Sequence, residues 1–325
     1  MIALVSAQML GKAYRIPSRK LGEGAKLLHA VSDVSLSIQR GSIFGIVGES
    51  GSGKSTLGRL LIRLEKPTSG QLYFAGEDVT AIPRQRLSSQ MQMIFQNPYG
   101  SFNPKQKIQN ALMEVAKVHK IPKAKAMDLA ATLIEEARLP ESCTQRLPSE
   151  LSGGQLQRLA IVRALMLNPE FLVADEPVSS LDVSVQAQIL NLLLELKHSH
   201  SLSVLFISHE MPVVKAVCDE AAVMYLGSIV EMASTSELFS HPSHPYTKAL
   251  LSAVPSLDPK IKKERIILKG DMPSPLGIPQ GCPFAPRCPQ AFSLCKTHKP
   301  VLTEAAPNHM ASCHLVSTDK EVSKT

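Results

Sequence analysis

The chain has 325 residues, of which 44% are hydrophobic, and a formal net charge of +7. This length accommodates one large domain with an extension, or two domains. No apolar run reaches about 18 residues, so no transmembrane helix is predicted. The first residues lack the basic-then-apolar layout of a signal peptide, and we expect a cytoplasmic protein. The basic residues are spread out with few aromatics among them, which favours a solvated or acidic-lipid-facing surface over a nucleic-acid partner.

The first predicted elements are two strands, Ala3–Ala13 and Leu27–Ile38, in which apolar and polar residues alternate. A loop with four basic residues, Arg15–Lys26, separates them. Tyr14 lies at the end of the first strand. A tyrosine in this position can stack on an adenine ring, but a packing role is the commoner one, and spacing alone favours it.

A nucleotide-phosphate site is predicted at Gly48–Thr56, which fits the pattern G-x-x-x-x-G-K-[ST]. The apolar strand Ser42–Val47 precedes it and a helical stretch, Leu57–Ile62, follows it. Backbone N–H groups of the glycine-rich turn and the helix dipole can therefore face an anion. Lys54 is expected to reach the β- and γ-phosphates, and Ser55 to offer its hydroxyl to Mg²⁺. The predicted phosphate-binding residues are Gly48, Ser50, Gly51, Ser52, Gly53, Lys54, Ser55 and Thr56.

The middle of the chain combines strands with a helical block. Strands are predicted at Gln71–Phe74 and Met91–Phe95, and the second runs into Gln96 and a loop with two prolines, Asn97–Pro104. From Ile108 to Leu139 the pattern indicates two or three helices. A Leu-Ser-Gly-Gly-Gln stretch, residues 151–155, then opens a helix over 156–167. A turn of this kind can bind an anion, although many helices begin in the same way.

An acidic pair follows an apolar strand at Phe171–Pro177. A P-loop nucleotidase holds Mg²⁺ through an acid at the end of such a strand. Asp175 is therefore predicted to order the water shell of the metal, and Glu176 to orient or deprotonate the attacking water. After a polar turn ending at Asp182 and a helix with one apolar face, the next buried strand ends before His209, where α/β folds place ligand-facing groups.

Taken in order, these motifs resemble those of the ATP-binding-cassette (ABC) ATPases over roughly Ala3–Glu231. The resemblance implies an α/β fold, a P-loop NTPase cassette with a RecA-like core, an antiparallel β subdomain and an inserted helical subdomain at about 97–165. It also implies ATP and Mg²⁺ as cofactors, and a site in which each ATP is sandwiched between two cassettes.

The same resemblance implies a role for each motif residue. Tyr14 becomes the adenine-stacking aromatic, and Gln96 a sensor of Mg²⁺ and of the membrane partner. Asp175 is similar to the Walker-B acid that holds Mg²⁺, together with Ser55 and Gln96. The implied catalytic residues are Lys54, Gln96, Glu176 and His209. The residues implied to contact the nucleotide of the other subunit are Ser152, Gly153, Gly154, Gln155 and Asp182.

The C-terminal part resembles the dipeptide/oligopeptide importer subfamily, through Glu237–Leu251 and the cysteine-bearing Gly281–Cys295. We expect a cassette at 1–235 and an extension at 236–325, with a disordered end after Val316. The resemblance implies an ATP-hydrolysing, energy-coupling subunit at the cytoplasmic face of the inner membrane. Its implied partners are a second ATPase subunit, in a heterodimer, two permease subunits and, indirectly, a solute-binding protein.

Other functions remain open at this stage. The same subfamily handles nickel, glutathione and other peptide-like solutes, and this subunit is not expected to contact the solute. A soluble ABC ATPase acting on ribosomes or DNA usually carries two cassettes or a long coiled coil. This chain has one cassette and no sustained heptads, which favours transport.

Four of the six cysteines, Cys282, Cys288, Cys295 and Cys313, fall in the extension with the spacing C-x₅-C-x₆-C-x₁₇-C. A cytoplasmic protein seldom keeps structural disulfides, so a thiolate-bound metal is predicted. Zinc accepts four thiolates but usually shows C-x₂₋₄-C pairs, which are missing here. The subfamily resemblance points to a four-iron four-sulfur cluster, with zinc and bare or oxidised thiols as alternatives. Cys143 and Cys218 stand apart and are expected to be packing residues.

Overall fold

The structure, a computed structural model, describes residues 2–17, 25–255, 264–277 and 279–316. The end predicted to be disordered, residues 317–325, lies outside this part of the chain. The described residues form two compact units, each assembled from three segments. The described residues of the first unit fall within Met1–Ser6, Ser37–Ile43 and Tyr73–Ile207, and those of the second within Ala7–Leu36, Phe44–Leu72 and Ser208–Thr325.

Strands and helices alternate through most of the described chain. The elements up to residue 208 are β1 (Val5–Ile16), β2 (Lys26–Ile38), β3 (Ile43–Val47), α1 (Lys54–Leu61), β4 (Ser69–Phe74), β5 (Glu77–Asp78), α2 (Arg84–Gln90), β6 (Met91–Ile94), α3 (Ile108–Val118), α4 (Lys123–Glu136), α5 (Gly153–Leu165), β7 (Phe171–Asp175), α6 (Val183–Ser199) and β8 (Ser203–Ser208). Those that follow are α7 (Met211–Val217), β9 (Glu220–Tyr225), β10 (Ser228–Ser234), α8 (Thr235–Ser240), α9 (Pro245–Ser252), α10 (Ser293–Thr297), β11 (Thr303–Ala306) and β12 (His309–Ala311).

In the first unit, three parallel strands carry the acidic pair. Strand β7 pairs with β6 on one side and with β8 on the other, with Asp175 opposite Ile207 at the end of the ladder. Every residue of β7 and β8 is buried, as expected for parallel strands that are covered on both faces. The same unit contains the helical block formed by α3, α4 and α5, which the sequence predicted.

In the second unit, a mixed sheet carries the P-loop and the C-terminal extension. Strand β3 runs parallel to β9, and β9 pairs antiparallel with β10. The short strand β12 of the extension adds to β10, with Glu231 opposite Ala311, and β11 closes the hairpin. The extension therefore prolongs the sheet that begins with the strand before the P-loop.

The strands predicted at Ser42–Val47 and Met91–Phe95 lie within one residue of their observed bounds, but two predicted helix starts were late. Helix α1 begins at Lys54, three residues before the predicted stretch, because Gly53 has φ 101° and turns the chain directly into the helix. Helix α5 begins at Gly153 because Ser152 caps it. Helix α2 was not predicted, because Leu87 is its one buried residue and no apolar periodicity marks it. Among the described helices, none is long and apolar enough to cross a membrane.

Candidate functional site

The P-loop in the second unit has a backbone that requires glycine at three positions. A Cβ on Gly48 would lie 2.2 Å from the carbonyl oxygen of Met224, and one on Gly53 would lie 2.1 Å from that of Ala30. Gly51 and Gly53 both have positive φ, 80° and 101°. Only a glycine tolerates such close approach and such angles without strain. The chain thus curls tightly enough for successive N–H groups to face one anion.

Polar groups of the same loop are already directed inward. The Lys54 side chain is buried, and its Nζ donates to the carbonyl oxygens of Gly48 (2.8 Å) and Glu49 (2.9 Å). The Ser52 hydroxyl is buried and has no protein hydrogen-bond partner among the described residues. Ser50 and Gly51 are exposed, and Ser55 and Thr56 are half-buried in the first turn of α1. An oxyanion fits this cradle, since it would accept from a cation and from a buried hydroxyl.

Tyr14 lies beside the P-loop helix in the second unit. Its hydroxyl hydrogen-bonds to Glu65 and interacts with the side chain of Thr56. Burial, followed by the hydrogen bond to Glu65, raises the pKa of the Tyr14 phenol. The Lys12 ammonium lies 5.0 Å from the ring centroid. A base stacking on Tyr14 would therefore use the ring face opposite Lys12.

In the first unit, the structure brings Gln96 and Glu176 together. The Gln96 amide donates to the Glu176 carboxylate at 3.0 Å. Glu176 has φ 46°, and its backbone is fixed by an N–H donation to Ile207 and by the Ser179 hydroxyl, which donates to its carbonyl. Asp175, the last residue of β7, is 3% exposed. A buried and a half-buried carboxylate thus follow each other at one strand end, and carboxylate oxygens are ligands that Mg²⁺ accepts.

The Ser-Gly-Gly-Gln stretch forms a capping box at the start of α5. The Ser152 hydroxyl accepts from the Gln155 N–H at 3.3 Å, and the Gln155 amide oxygen accepts from the Ser152 N–H at 3.1 Å. Gly154 packs against the next helix, because a Cβ there would lie 2.6 Å from Val185 Cγ1. The box leaves Ser152 exposed at a helix N-terminus.

Asp182 caps α6 and is exposed. Its carboxylate accepts from the Ser184 hydroxyl (2.6 Å) and the Val185 N–H (3.0 Å). These two hydrogen bonds lower the pKa of the Asp182 carboxyl, that to Ser184 most. His209 follows β8 directly and is exposed. The structure therefore presents both side chains at the surface of the described chain.

The four extension cysteines gather in the second unit, and none forms a disulfide. Burial raises the pKa of Cys282 to about 11, and Cys295 and Cys313 lie near enough to add to the rise. Burial also raises the pKa of Cys288 and of Cys313, again with neighbouring cysteines contributing. Nevertheless, within the described ranges no set of three or more His, Cys, Asp or Glu has the arrangement of a metal site. The thiols are close together without forming a preorganised coordination site. Cys143 and Cys218 are buried elsewhere.

Three residues of the second unit were not predicted from the sequence. They are Glu49 of the P-loop and the two residues that contact it, Tyr246 and Arg287. The Glu49 N–H donates to the Tyr246 hydroxyl at 3.1 Å, and the Glu49 carboxylate accepts from Arg287 at 3.0 and 3.1 Å. Glu49 occupies a variable position of the P-loop pattern, so the pattern could not single it out. Tyr246 lies in a stretch that the sequence did flag, Glu237–Leu251, but nothing there indicated its partner.

Comparison with protein families gives two matches. The family model described as "ABC transporter" matches residues 31–179. The model described as "Oligopeptide/dipeptide transporter, C-terminal region" matches residues 230–295. The two matches lie in the order that the sequence motifs predicted.

Individual relatives align along nearly the whole chain. The oligopeptide transport ATP-binding protein AppF of Bacillus subtilis is 45% identical over 306 residues, which cover 92% of each chain. The dipeptide transport ATP-binding protein DppF of Haemophilus influenzae is 43% identical over 318 residues, covering 95% of this chain and 96% of that protein.

Solved structures agree on the fold. A dimeric ATP-binding cassette, determined in a post-hydrolysis state with ADP and Pi bound, superposes with a TM-score of 0.61 at 26% identity, covering 71% of this chain and 98% of its own. The cbiO1 protein of Clostridium perfringens, part of an ABC transporter complex, superposes with a TM-score of 0.64 at 23% identity, covering 74% and 92%. At that identity the second likeness concerns the fold alone. The predicted α/β cassette fold is confirmed.

Proposed function

Because this chain belongs to the ATP-binding-cassette ATPases of the oligopeptide/dipeptide transporter family, we propose that it is the ATP-hydrolysing, energy-coupling subunit of an importer for dipeptides or oligopeptides. The observation that carries this proposal is the alignment over more than nine-tenths of both chains with relatives named for peptide transport. The alignment includes the extension as well as the cassette.

ATP binding is assigned to the P-loop and its surroundings. Backbone N–H groups of Gly48–Thr56 and the Lys54 ammonium hold the phosphates, with the buried Ser52 hydroxyl as a further donor. Lys54 then exchanges its two carbonyl acceptors for phosphate oxygens. Tyr14 stacks on the adenine. Ser55 of the second unit, and Asp175 and Gln96 of the first, would each offer an oxygen ligand of the kind that Mg²⁺ prefers.

Hydrolysis is assigned to Glu176, which orients or deprotonates the attacking water. Its hydrogen bond to Gln96 holds the carboxylate in one position. His209 is assigned to the γ-phosphate, where it stabilises developing charge. ATP with Mg²⁺ supplies the phosphoryl group whose transfer to water powers the transporter.

The remaining assignments concern the assembly. Ser152, Gly153, Gly154, Gln155 and Asp182 are exposed or half-buried in one unit and are proposed to close over the ATP of a second, different ATPase subunit. The segment Asn97–Pro104, which carries the exposed Tyr99, receives a permease at the cytoplasmic face of the membrane. A solute-binding protein completes the importer, and the boundary between cassette and extension is placed at residue 235.

For the four-cysteine segment we propose a four-iron four-sulfur cluster as the occupant, with zinc as the alternative. Support comes from the donor set, since Cys295 and Cys313 lie within electrostatic range of both Cys282 and Cys288, and four thiolates match the ligand count of such a cluster. The raised pKa values of Cys282, Cys288 and Cys313 keep the metal-free thiols neutral, so binding has to release protons. The cluster would tie the extension together and has no step in ATP hydrolysis.

Co-purification tests the function. The tagged chain, extracted from membranes in mild detergent, should bring down two hydrophobic permeases and a second ATPase subunit. Peptide-loaded binding protein should then stimulate ATP hydrolysis in the reconstituted complex. Recovery of ribosomes or DNA-repair proteins in place of permeases would refute the transport assignment, while stimulation by nickel or glutathione alone would change the solute.

Metal content tests the cysteine proposal. Protein purified anaerobically should be brown and contain iron and sulfide. It should absorb near ~400 nm, where sulfur-to-iron charge transfer is expected for such a cluster. Colourless protein with one zinc per chain would refute the cluster and support zinc. Protein that contains neither iron nor zinc would refute both proposed occupants.

A further inference from the structure

Glu49, the second residue of the P-loop, is tied to the C-terminal extension at two points. Its backbone N–H donates to the Tyr246 hydroxyl at 3.1 Å, and its carboxylate oxygens accept from one Arg287 nitrogen at 3.0 and 3.1 Å. On the other side, its carbonyl oxygen accepts from Lys54 Nζ at 2.9 Å and from the Ser52 N–H at 3.2 Å. Glu49 thus lies between the extension and the two phosphate-binding residues Ser52 and Lys54.

Both extension residues are rigidly held. Tyr246 is 0% exposed and packs edge-on against Tyr225, at 4.8 Å between ring centroids. Phe284 lies 5.3 Å from Tyr225 and 5.4 Å from Tyr246, which completes a buried aromatic cluster. The Arg287 side chain is 9% exposed, and its guanidinium lies 6.0 Å from the Tyr225 ring centroid. A side chain buried in this way has little freedom to follow a moving partner, so it can fix the position of Glu49.

A positive charge beside the Glu49 carboxylate favours nucleotide binding. A carboxylate within a phosphate-binding loop repels the polyphosphate of ATP, and the half-buried Glu49 is screened less than a surface residue. Arg287 places a permanent positive charge against it. Arg287 also lies directly before Cys288 and five residues after Cys282, so the order of the four-cysteine segment determines where its guanidinium stands.

From these contacts we infer that Arg287 and Tyr246 are positioning residues for the P-loop, through which the C-terminal extension sets the affinity for nucleotide. Arg287 neutralises Glu49 and fixes its side chain, while Tyr246 fixes its backbone N–H. The inference rests on the proposed nucleotide site and goes beyond it, since it makes part of the extension a component of that site. Loss of these two contacts would weaken nucleotide binding without changing a residue that contacts the phosphates.

The test measures Mg²⁺–ADP binding to the full-length chain by calorimetry, which reports P-loop affinity without turnover. Arg287→Gln should weaken binding about tenfold, equal to about 1.4 kcal/mol, because an unpaired carboxylate then faces the diphosphate. In the assembled transporter, the same variant should raise KM for ATP by a similar factor and leave kcat nearly unchanged. Tyr246→Phe should weaken binding by a smaller factor, since it removes one neutral hydrogen bond.

A second substitution separates positioning from general stability. Glu49→Gln in the Arg287→Gln background removes the unpaired charge and should recover most of the lost affinity. Lys299→Gln is the matched control, because it removes a cation of the extension whose partner, Asp33, is exposed, and it should bind ADP like the wild type. Wild-type affinity in Arg287→Gln, or no recovery in the double variant, would overturn the inference. No binding by the wild type would instead overturn the proposed nucleotide site.

Discussion

Glu176 shows how one side chain can be prepared for catalysis by its own backbone. A non-glycine residue at φ 46° is uncommon, and here the N–H bond to Ile207 and the Ser179 hydroxyl hold it there. The turn directs the carboxylate to the Gln96 amide. The contact with Gln96 and the fixed backbone agree with the role proposed for Glu176.

Replacing Glu176 tests that role at the residue scale. Glu176→Gln keeps the shape and the contact with Gln96 but removes the base, so ATP turnover in the assembled transporter should fall by about 10²-fold or more. Nucleotide binding should persist. Lys54→Ala should do the opposite and weaken binding itself. Wild-type turnover in Glu176→Gln would show that another group activates the water.

His244 carries a pH dependence that can be derived from its burial. It is 1% exposed, and desolvation lowers its pKa from an ordinary 6.5 to about 3, with the charge of Lys248 adding to the effect. In the unfolded chain His244 is therefore protonated below about pH 6.5, whereas in the folded chain it stays neutral down to about pH 3. The free energy of unfolding should fall as the pH drops through this window, by roughly 2 kcal/mol at pH 5 from this residue alone.

His244→Asn isolates the effect. Asparagine retains a side-chain acceptor for the Tyr246 N–H, which His244 Nδ1 accepts at 3.0 Å to cap α9, and it does not titrate. Urea unfolding between pH 4 and pH 7 should show a shallower loss of stability in this variant than in the wild type. His241→Asn, which removes an exposed histidine, is the control. Equal slopes in wild type and His244→Asn would contradict the prediction.

At the scale of elements, the contact between α5 and α6 depends on Gly154. A Cβ there would lie 2.6 Å from Val185 Cγ1, whereas one on Gly153 would lie 3.4 Å from Leu181 Cδ2, an ordinary contact. Helices α5 and α6 approach closely because the Leu-Ser-Gly-Gly-Gln stretch has no side chain at Gly154. The same pattern that suggests an anion site therefore also has a packing cause.

Gly154→Ala should lower the free energy of unfolding by about 1–3 kcal/mol, the usual cost of overpacking. Gly153→Ala is the matched control and should cost little, since alanine also favours the helix. Adding Val185→Ala to Gly154→Ala removes the clashing methyl group and should recover stability, as measured by the urea midpoint. Equal destabilisation by both glycine variants would show that backbone angles, and not the contact with Val185, decide the outcome.

The elements that sequence could predict are those whose signal is local. Strands β3 and β7 are continuous apolar runs, and the P-loop between β3 and α1 is a fixed pattern of residue types. Strand β12 has three residues and exists through its pairing with β10. A segment this short has no detectable periodicity, so the sequence does not predict it. The contact between Glu49 and Tyr246 joins residues 197 positions apart. A single sequence contains the chemistry of both partners but no measure of their distance.

At the scale of the whole molecule, one buried carboxylate connects the sheet to the extension. Glu231 of β10 is 0% exposed and accepts from the N–H groups of Ser243 (2.5 Å) and His244 (3.0 Å) and from His309 Nε2 (2.7 Å). Ser243 and His244 precede α9, and His309 begins β12. Two separate parts of the extension therefore converge on a single residue of the strand that ends the proposed cassette.

Glu231→Ala should consequently destabilise the second unit by about 3–5 kcal/mol, because it leaves buried donors without an acceptor. Urea unfolding followed by circular dichroism measures the loss, and limited proteolysis should cut the extension of this variant first. Glu237→Gln is the control, since Glu237 is 38% exposed and lies 3.8 Å from His309 Nδ1, and it should cost less than about 1 kcal/mol. A proteolysis pattern unchanged from the wild type in Glu231→Ala would show that β12 and α9 are held to β10 by their apolar contacts, and not by this carboxylate.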